Sequence, residues 1–189
     1  DRFSAPDFYV KVTINGEQFT SPVWKNTRYI YDADWAVAVD VPDDEEWVEI
    51  RIELWDWNLG LDQKCDISGY TEETRDSKDV ILWYNIRSGH WIGDDYLDDT
   101  PIDADPSGYG RLNGCDDGSI YTHDFDAELW FDVYQNDYDG DGIPYWVETE
   151  VFHTNPNIDD RGRDDDGDGV PIEWEWKWGY EVLYNWHED

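Results

Sequence analysis

Basic residues are scarce in this chain: 13 Lys and Arg stand against 47 Asp and Glu, a formal charge of −34. Phosphate recognition needs clustered Lys and Arg, so nucleic acid is excluded as a partner. An anionic membrane would repel the same surface unless calcium bridged the two. Methionine is absent, and no apolar run approaches the ~18 residues of a membrane helix, so no transmembrane segment is expected. No leader-like segment opens the sequence, which predicts either a mature product or a trimmed chain. There are four histidines, with no H-E-x-x-H pair, no G-x-S-x-G and no Cys-based metal spacing. With 47 acids, any carboxylate pair could be chosen to resemble a glycosidase centre, so that signal is empty. The expectation is a protein that is not an enzyme. Cysteine is limited to Cys65 and Cys115. In an oxidising compartment they would close one long loop worth ~4 kcal/mol in the chain-entropy model, although spacing does not show that they meet.

What is abundant rules out a disordered acidic tail. Hydrophobic residues make up 39% of the chain and aromatics 17%, with 13 Trp and 13 Tyr, whereas disordered acidic segments have little to bury. So high a charge opposes compaction unless cations or salt screen it. A halophilic surface would account for the charge but not for the spacing of the acids.

Residues 1–135 read as a β domain. Phe8, Val10, Val12 and Ile14 alternate with polar or ringed neighbours up to the turn pair Asn15-Gly16. Trp35, Val37, Val39 and Val41 repeat the period of two, as do Val48 to Leu54, Val80 to Ile86 and Ala127 to Val133. Shorter pieces near 17–20, 28–31 and 119–124 bring the count to about eight, which implies an antiparallel β-sandwich. The stretch 93–119 holds eight Asp and one Arg with little periodicity, and reads as a long acidic loop.

After Tyr134 the pattern changes, and 136–189 reads as a small α/loop module. Asp137, Asp139, Asp141, Gly142 and Glu148 occupy positions 1, 3, 5, 6 and 12 of an EF-hand-like loop, D-x-[DN]-x-[DN]-G-x5-E. Three Asp would approach a cation in turn as the chain curls around Gly142. The Ile143 carbonyl would add an oxygen, and Glu148 would close the shell from a helix. Asp164, Asp166, Asp168, Gly169, Val170 and Glu175 repeat the set without a gap. Two Ca2+ sites are therefore expected. Pro144 and Pro171 stand at position 8 of each run. Proline suits a helix start, but it cannot donate the backbone hydrogen bond that bridges paired EF-hands. The runs start only 27 residues apart, too close for two full helix-loop-helix units. These departures argue against a calmodulin-like sensor. Residues 136 to about 180, joined through Thr154-Asn155-Pro156, resemble the thrombospondin type 3-like and dockerin-like calcium repeats of secreted microbial proteins. That resemblance implies structural, extracellular calcium, with Gly179 capping the last helix.

The N-terminal part is similar to C2-like sandwiches through Asp7-Phe-Tyr-Val-Lys-Val and Leu54-Trp-Asp56-Trp-Asn58 with Asp62. The likeness implies that Asp7, Asp56, Asn58 and Asp62 converge on one or two ions at the sandwich tip, with Asn58 where an acid is commoner. Asp103-x-Asp105-x-Ser107-Gly108 begins like a third loop, but Gly114 stands where its closing Glu would be. Of Trp174, Trp176 and Trp178, some are expected to pack on the sandwich and at least one to face outward. Three functions fit this reading. The first is a secreted structural or adhesive subunit of a filament or surface layer, self-associating or meeting other surface proteins. The others are a calcium-dependent carbohydrate- or lipid-binding module and an accessory domain of a larger secreted hydrolase.

Overall fold

The computed structural model describes residues 4–68, 78–94, 109–113 and 127–178. Within them the chain is mainly β, with all strands antiparallel. Strands β1 (Phe8–Ile14), β2 (Glu17–Thr20), β3 (Trp47–Asp56), β4 (Gln63–Cys65), β5 (Val80–Asn85) and β6 (His90–Gly93) form one sheet, ordered β2-β1-β3-β5-β6, with β4 also paired to β3. Strands β7 (Tyr109–Asn113) and β8 (Glu128–Asp132) form a second, two-stranded sheet.

Local chemistry explains the first hairpin. Asn15 and Gly16 both adopt positive φ, 47° and 83°, and the register pairs Ile14 with Glu17. A two-residue turn of that handedness matches the twist of the strands it joins, and Asn-Gly is the pair that tolerates it.

The period of two places Val48, Ile50, Ile52 and Leu54 of β3 beside Val80, Leu82 and Tyr84 of β5 in one buried cluster. Phe8, Val10, Val12 and Ile14 pack on it from β1. The small sheet faces the same cluster with Leu112, Leu129 and Phe131, and the Phe131 ring lies 5.6 Å from Trp91 of β6. Burial of this apolar surface is the main stabilising term.

Three expectations need correction. Residues 35–41 form no strand. Their alternation survives as burial, because Trp35, Val37, Val39 and Val41 are half-buried between exposed neighbours. A period of two specifies a face, whereas a strand also needs a backbone partner. No strand forms at 28–31 either. The stretch 93–119 is not wholly loop, since it contains β7, whose Leu112 is core and whose Arg111 pairs with Glu128 at 2.9 Å. The expected strand at 119–124 lies outside the described residues.

After β8 the chain is tied back to the large sheet. The Gln135 side-chain amide donates to the Tyr84 hydroxyl and the Ile86 carbonyl at 2.9 and 2.8 Å. This anchor sets the start of the acidic module two residues later. Helix α1 (Tyr145–Val147) runs into a π-helical turn, Glu148–Phe152, that ends at His153 in the left-handed conformation, and α2 spans Ile172–Trp178. Both segments following the Asp/Gly runs are thus helical. None of the described helices is long and apolar enough to cross a membrane.

Candidate metal centre

The two acidic runs fold into loops with the same internal hydrogen bonds. In the first, both Asp137 carboxylate oxygens accept backbone amides, from Gly140 at 2.8 Å and Gly142 at 3.0 Å. In the second, Asp164 accepts Gly167 at 2.7 Å and Gly169 at 3.0 Å. Asp139 Oδ1 accepts the Asp141 amide, and Asp166 Oδ1 accepts that of Asp168. Asp141 Oδ1 takes the Ile143 amide and Asp168 Oδ1 that of Val170. Gly142 and Gly169 have φ of 98° and 94°, a turn that a side chain would strain. As a result the ligand atoms of Asp137, Asp139 and Asp141 lie within 4.8 Å of one another, as do those of Asp164, Asp166 and Asp168.

Each loop is closed by a glutamate carried into the interior by helix formation. Glu148 and Glu175 donate their amides to the carbonyls of Pro144 and Pro171, both at 3.0 Å, and both side chains are fully buried. Beside them Ile143, Val147 and Ile172 form a second apolar cluster shared by the two loops. Burial, reinforced by the Asp triad of its loop, pushes the Glu148 carboxyl up to about 7. The same causes raise Glu175 to about 7. Among the described residues, five buried side-chain oxygens have no hydrogen-bond partner: Asp139 Oδ2, Glu148 Oε2, Asp166 Oδ2 and both oxygens of Glu175. All five belong to these loops. A buried carboxylate without a partner is costly, so native structures rarely keep one unless something else satisfies it. A hard cation taking six to eight oxygen ligands would do so in both loops. The donor set fits such an ion: three Asp, one Glu and a backbone carbonyl at position 7. The two triads can therefore hold metal ions, and their all-oxygen chemistry is compatible with calcium.

The remaining candidates lie elsewhere. The carboxylates of Asp7, Asp56 and Asp62 are not among the acidic clusters gathered within 4.8 Å in the described residues. Their oxygens serve local structure. Asp7 Oδ1 accepts the Asn26 amide, and Asp56 Oδ1 accepts that of Asp7. Asp62 takes the Asn58 amide at 3.0 Å and the Tyr9 hydroxyl at 2.8 Å, bonds that hold its carboxyl below the usual range. The Asn58 side-chain amide donates to the Asp56 carbonyl. Asp103 and Asp105 lie outside the described residues, as do Gly179 and Cys115. Cys65 is a buried, free thiol, pushed up to about 12 by burial and the nearby Asp56.

Sequence reasoning did not find the contacts that support the loops. The Thr154 hydroxyl donates to Glu148 Oε1 at 3.1 Å, and the Asp160 amide donates to Asp141 Oδ2 at 3.1 Å. Arg161 donates from its guanidinium to the Gly140 carbonyl. Nothing in residue type or spacing marks these partners. Two indoles fasten the module to the large sheet: Trp146 donates to the Asp43 carbonyl at 3.1 Å and Trp176 to that of Arg87 at 2.7 Å. Trp176 thus packs inward, whereas Trp174 and Trp178 are about half exposed. Comparison of the chain with protein-family models, curated proteins and solved structures gives no match.

Proposed function

We propose that this chain is a secreted calcium-binding structural or adhesive protein, a subunit of an extracellular or cell-surface assembly, in which two calcium ions rigidify the fold. The observation that carries this reading is the pair of buried glutamates, each turned toward an Asp triad and short of hydrogen bonds. In this reading Asp137, Asp139, Asp141, the Ile143 carbonyl and Glu148 hold one ion. Asp164, Asp166, Asp168, the Val170 carbonyl and Glu175 hold the other. The likeness of 136–180 to thrombospondin type 3-like and dockerin-like repeats supports a structural use of the metal. The two indole hydrogen bonds support the same use, because they join the loops to the turns that flank the large sheet. We read the two sheets, packed through one core, as a C2-like sandwich.

Calcium-dependent binding of carbohydrate is the second reading. It is favoured by the exposed Trp47, Trp83 and Ile92, which the register places on the outer face of the large sheet, since exposed aromatics mark contact surfaces. Calorimetric melting with calcium chloride and with EDTA tests the metal. Ion binding at a hundred times Kd would add ~2.7 kcal/mol per site. Identical melting in both conditions would refute it. Size-exclusion chromatography tests the assembly, with calcium-dependent growth in size expected. A calcium-dependent hit on a glycan array, without self-association, would favour the second reading.

A further inference from the structure

The two loops are built alike but supported unequally. Glu148 enters the first already positioned: Thr154 donates its hydroxyl to Oε1 at 3.1 Å and its amide to the Glu148 carbonyl at 2.9 Å, leaving Oε2 unpaired. Glu175 has no hydrogen bond to either oxygen. Both glutamates are buried, but only Glu148 has its carboxylate held by a hydrogen bond, so less ordering remains there when an ion arrives. The first loop is therefore the better organised of the two before any ion arrives.

A single strap connects them. It leaves Glu148 through Thr154 and is pinned at Asp160, whose amide donates to Asp141 Oδ2. Two residues on, the Gly162 amide is shared by both Glu173 carboxylate oxygens at 3.2 Å. The Arg163 carbonyl accepts the Ile172 amide at 2.8 Å. Asp164, the first acid of the second loop, follows directly. Two acids of the first loop, Asp141 and Glu148, thus hold the strap that delivers the first acid of the second. Ile143 and Val147 of the first loop also share one apolar cluster with Ile172 of the second.

We infer that the loops fill in order, 137–148 before 164–175, and that Thr154 is the positioning residue that couples them. The inference rests on the calcium reading above. An ion in the first loop fixes the carboxylates of Asp141 and Glu148, which fixes Thr154 and Asp160 and so the approach of Asp164. The second ion then meets an organised site and binds more tightly than it would alone. Because coupling free energy is reciprocal, the order follows from unequal intrinsic affinities and the gain is shared by both sites.

The test is calorimetric titration of the full chain with calcium chloride. The unmodified protein should bind two ions in resolvable steps. Glu175→Gln should keep one step at the first affinity. Glu148→Gln should keep one step about tenfold weaker than the second step of the unmodified protein, a factor typical of coupled sites. Thr154→Val, and independently Thr154→Ala, should retain two ions while the second step weakens severalfold, and Thr154→Ser should restore it. Circular dichroism identifies the folded variants. Unchanged second-step affinity in both Thr154 variants, or full second-loop affinity in Glu148→Gln, would overturn the coupling while leaving calcium binding intact. Absence of any calcium heat in the unmodified protein, with equilibrium dialysis also negative, would overturn the calcium reading itself.

Discussion

Replacing Glu175 with Gln should move stability in opposite directions with and without calcium. The carboxyl is fully buried, lacks hydrogen bonds, and is raised from 4.5 to about 7 by burial and then by Asp166, Asp168 and Asp164. At pH 8 without metal the group must ionise in the folded state. At ~1.4 kcal/mol per pH unit, the raised value costs the fold about 3–4 kcal/mol. Glutamine keeps the shape, carries no charge and offers two donors to the neighbouring Asp oxygens. The variant should therefore be more stable in EDTA by about 3–4 kcal/mol, or ~7–14 °C in Tm for a chain of this size. Calcium reverses the order, because the variant loses a closing ligand. Occupancy stabilises by RT ln(1 + [L]/Kd), so the unmodified protein overtakes it when free calcium reaches several hundred times Kd, on the order of 300. Differential scanning calorimetry across a calcium series would show the crossing. A variant less stable than its parent in EDTA at pH 8 would refute the reasoning, since the buried charge would then be satisfied by something else.

The same glutamates set a pH dependence. Their folded values lie above the ordinary one, so the folded state binds more protons between pH 4.5 and about 7, and metal-free stability falls as pH rises through that window. Tm in EDTA should be higher at pH 5 than at pH 8. Saturating calcium should invert that order, because the ligands must be deprotonated. Gly89→Ala should lower Tm by several degrees: its φ is +71°, and an added Cβ would sit 2.7 Å from the Trp176 ring. Loss of the indole's environment should appear as a red shift of tryptophan emission in the native state, and an unshifted spectrum with unchanged Tm would remove Trp176 from the sheet contact.

How far these features can be read from sequence depends on how locally they are encoded. Asn15-Gly16 fixes its hairpin because the turn needs two residues at positive φ, and both are present. The β3 and β5 alternations are long enough to define a buried face, while their pairing and register are visible only in the structure. The acids at positions 1, 3 and 5 are gathered by the chain's own curl, so their spacing is nearly their geometry. Residues 35–41 show the opposite case, a face without a partner. Strands β4 and β6 have three and four residues, too short for periodicity to distinguish them from loops. The Thr154 and Asp160 contacts depend on where a connector returns, which no local pattern encodes. Asp7, Asp56 and Asp62 are marked only by a looser likeness, and the amides and phenol that bond them come from tertiary structure.

The indole of Trp146 rests on the carbonyl of Asp43, the first of four consecutive acids, Asp43-Asp44-Glu45-Glu46. Seating the module there brings like charges together at the end of the sheet, outside either loop. Dissolved sodium chloride relieves repulsion of that kind, since the screening length falls from ~10 Å at 0.1 M to ~3 Å at 1 M. It does nothing for an oxygen sealed from solvent beside three others. Brine and lime should therefore act on separate halves of the problem, the first loosening the approach of two anionic bodies and the second completing the inside of one.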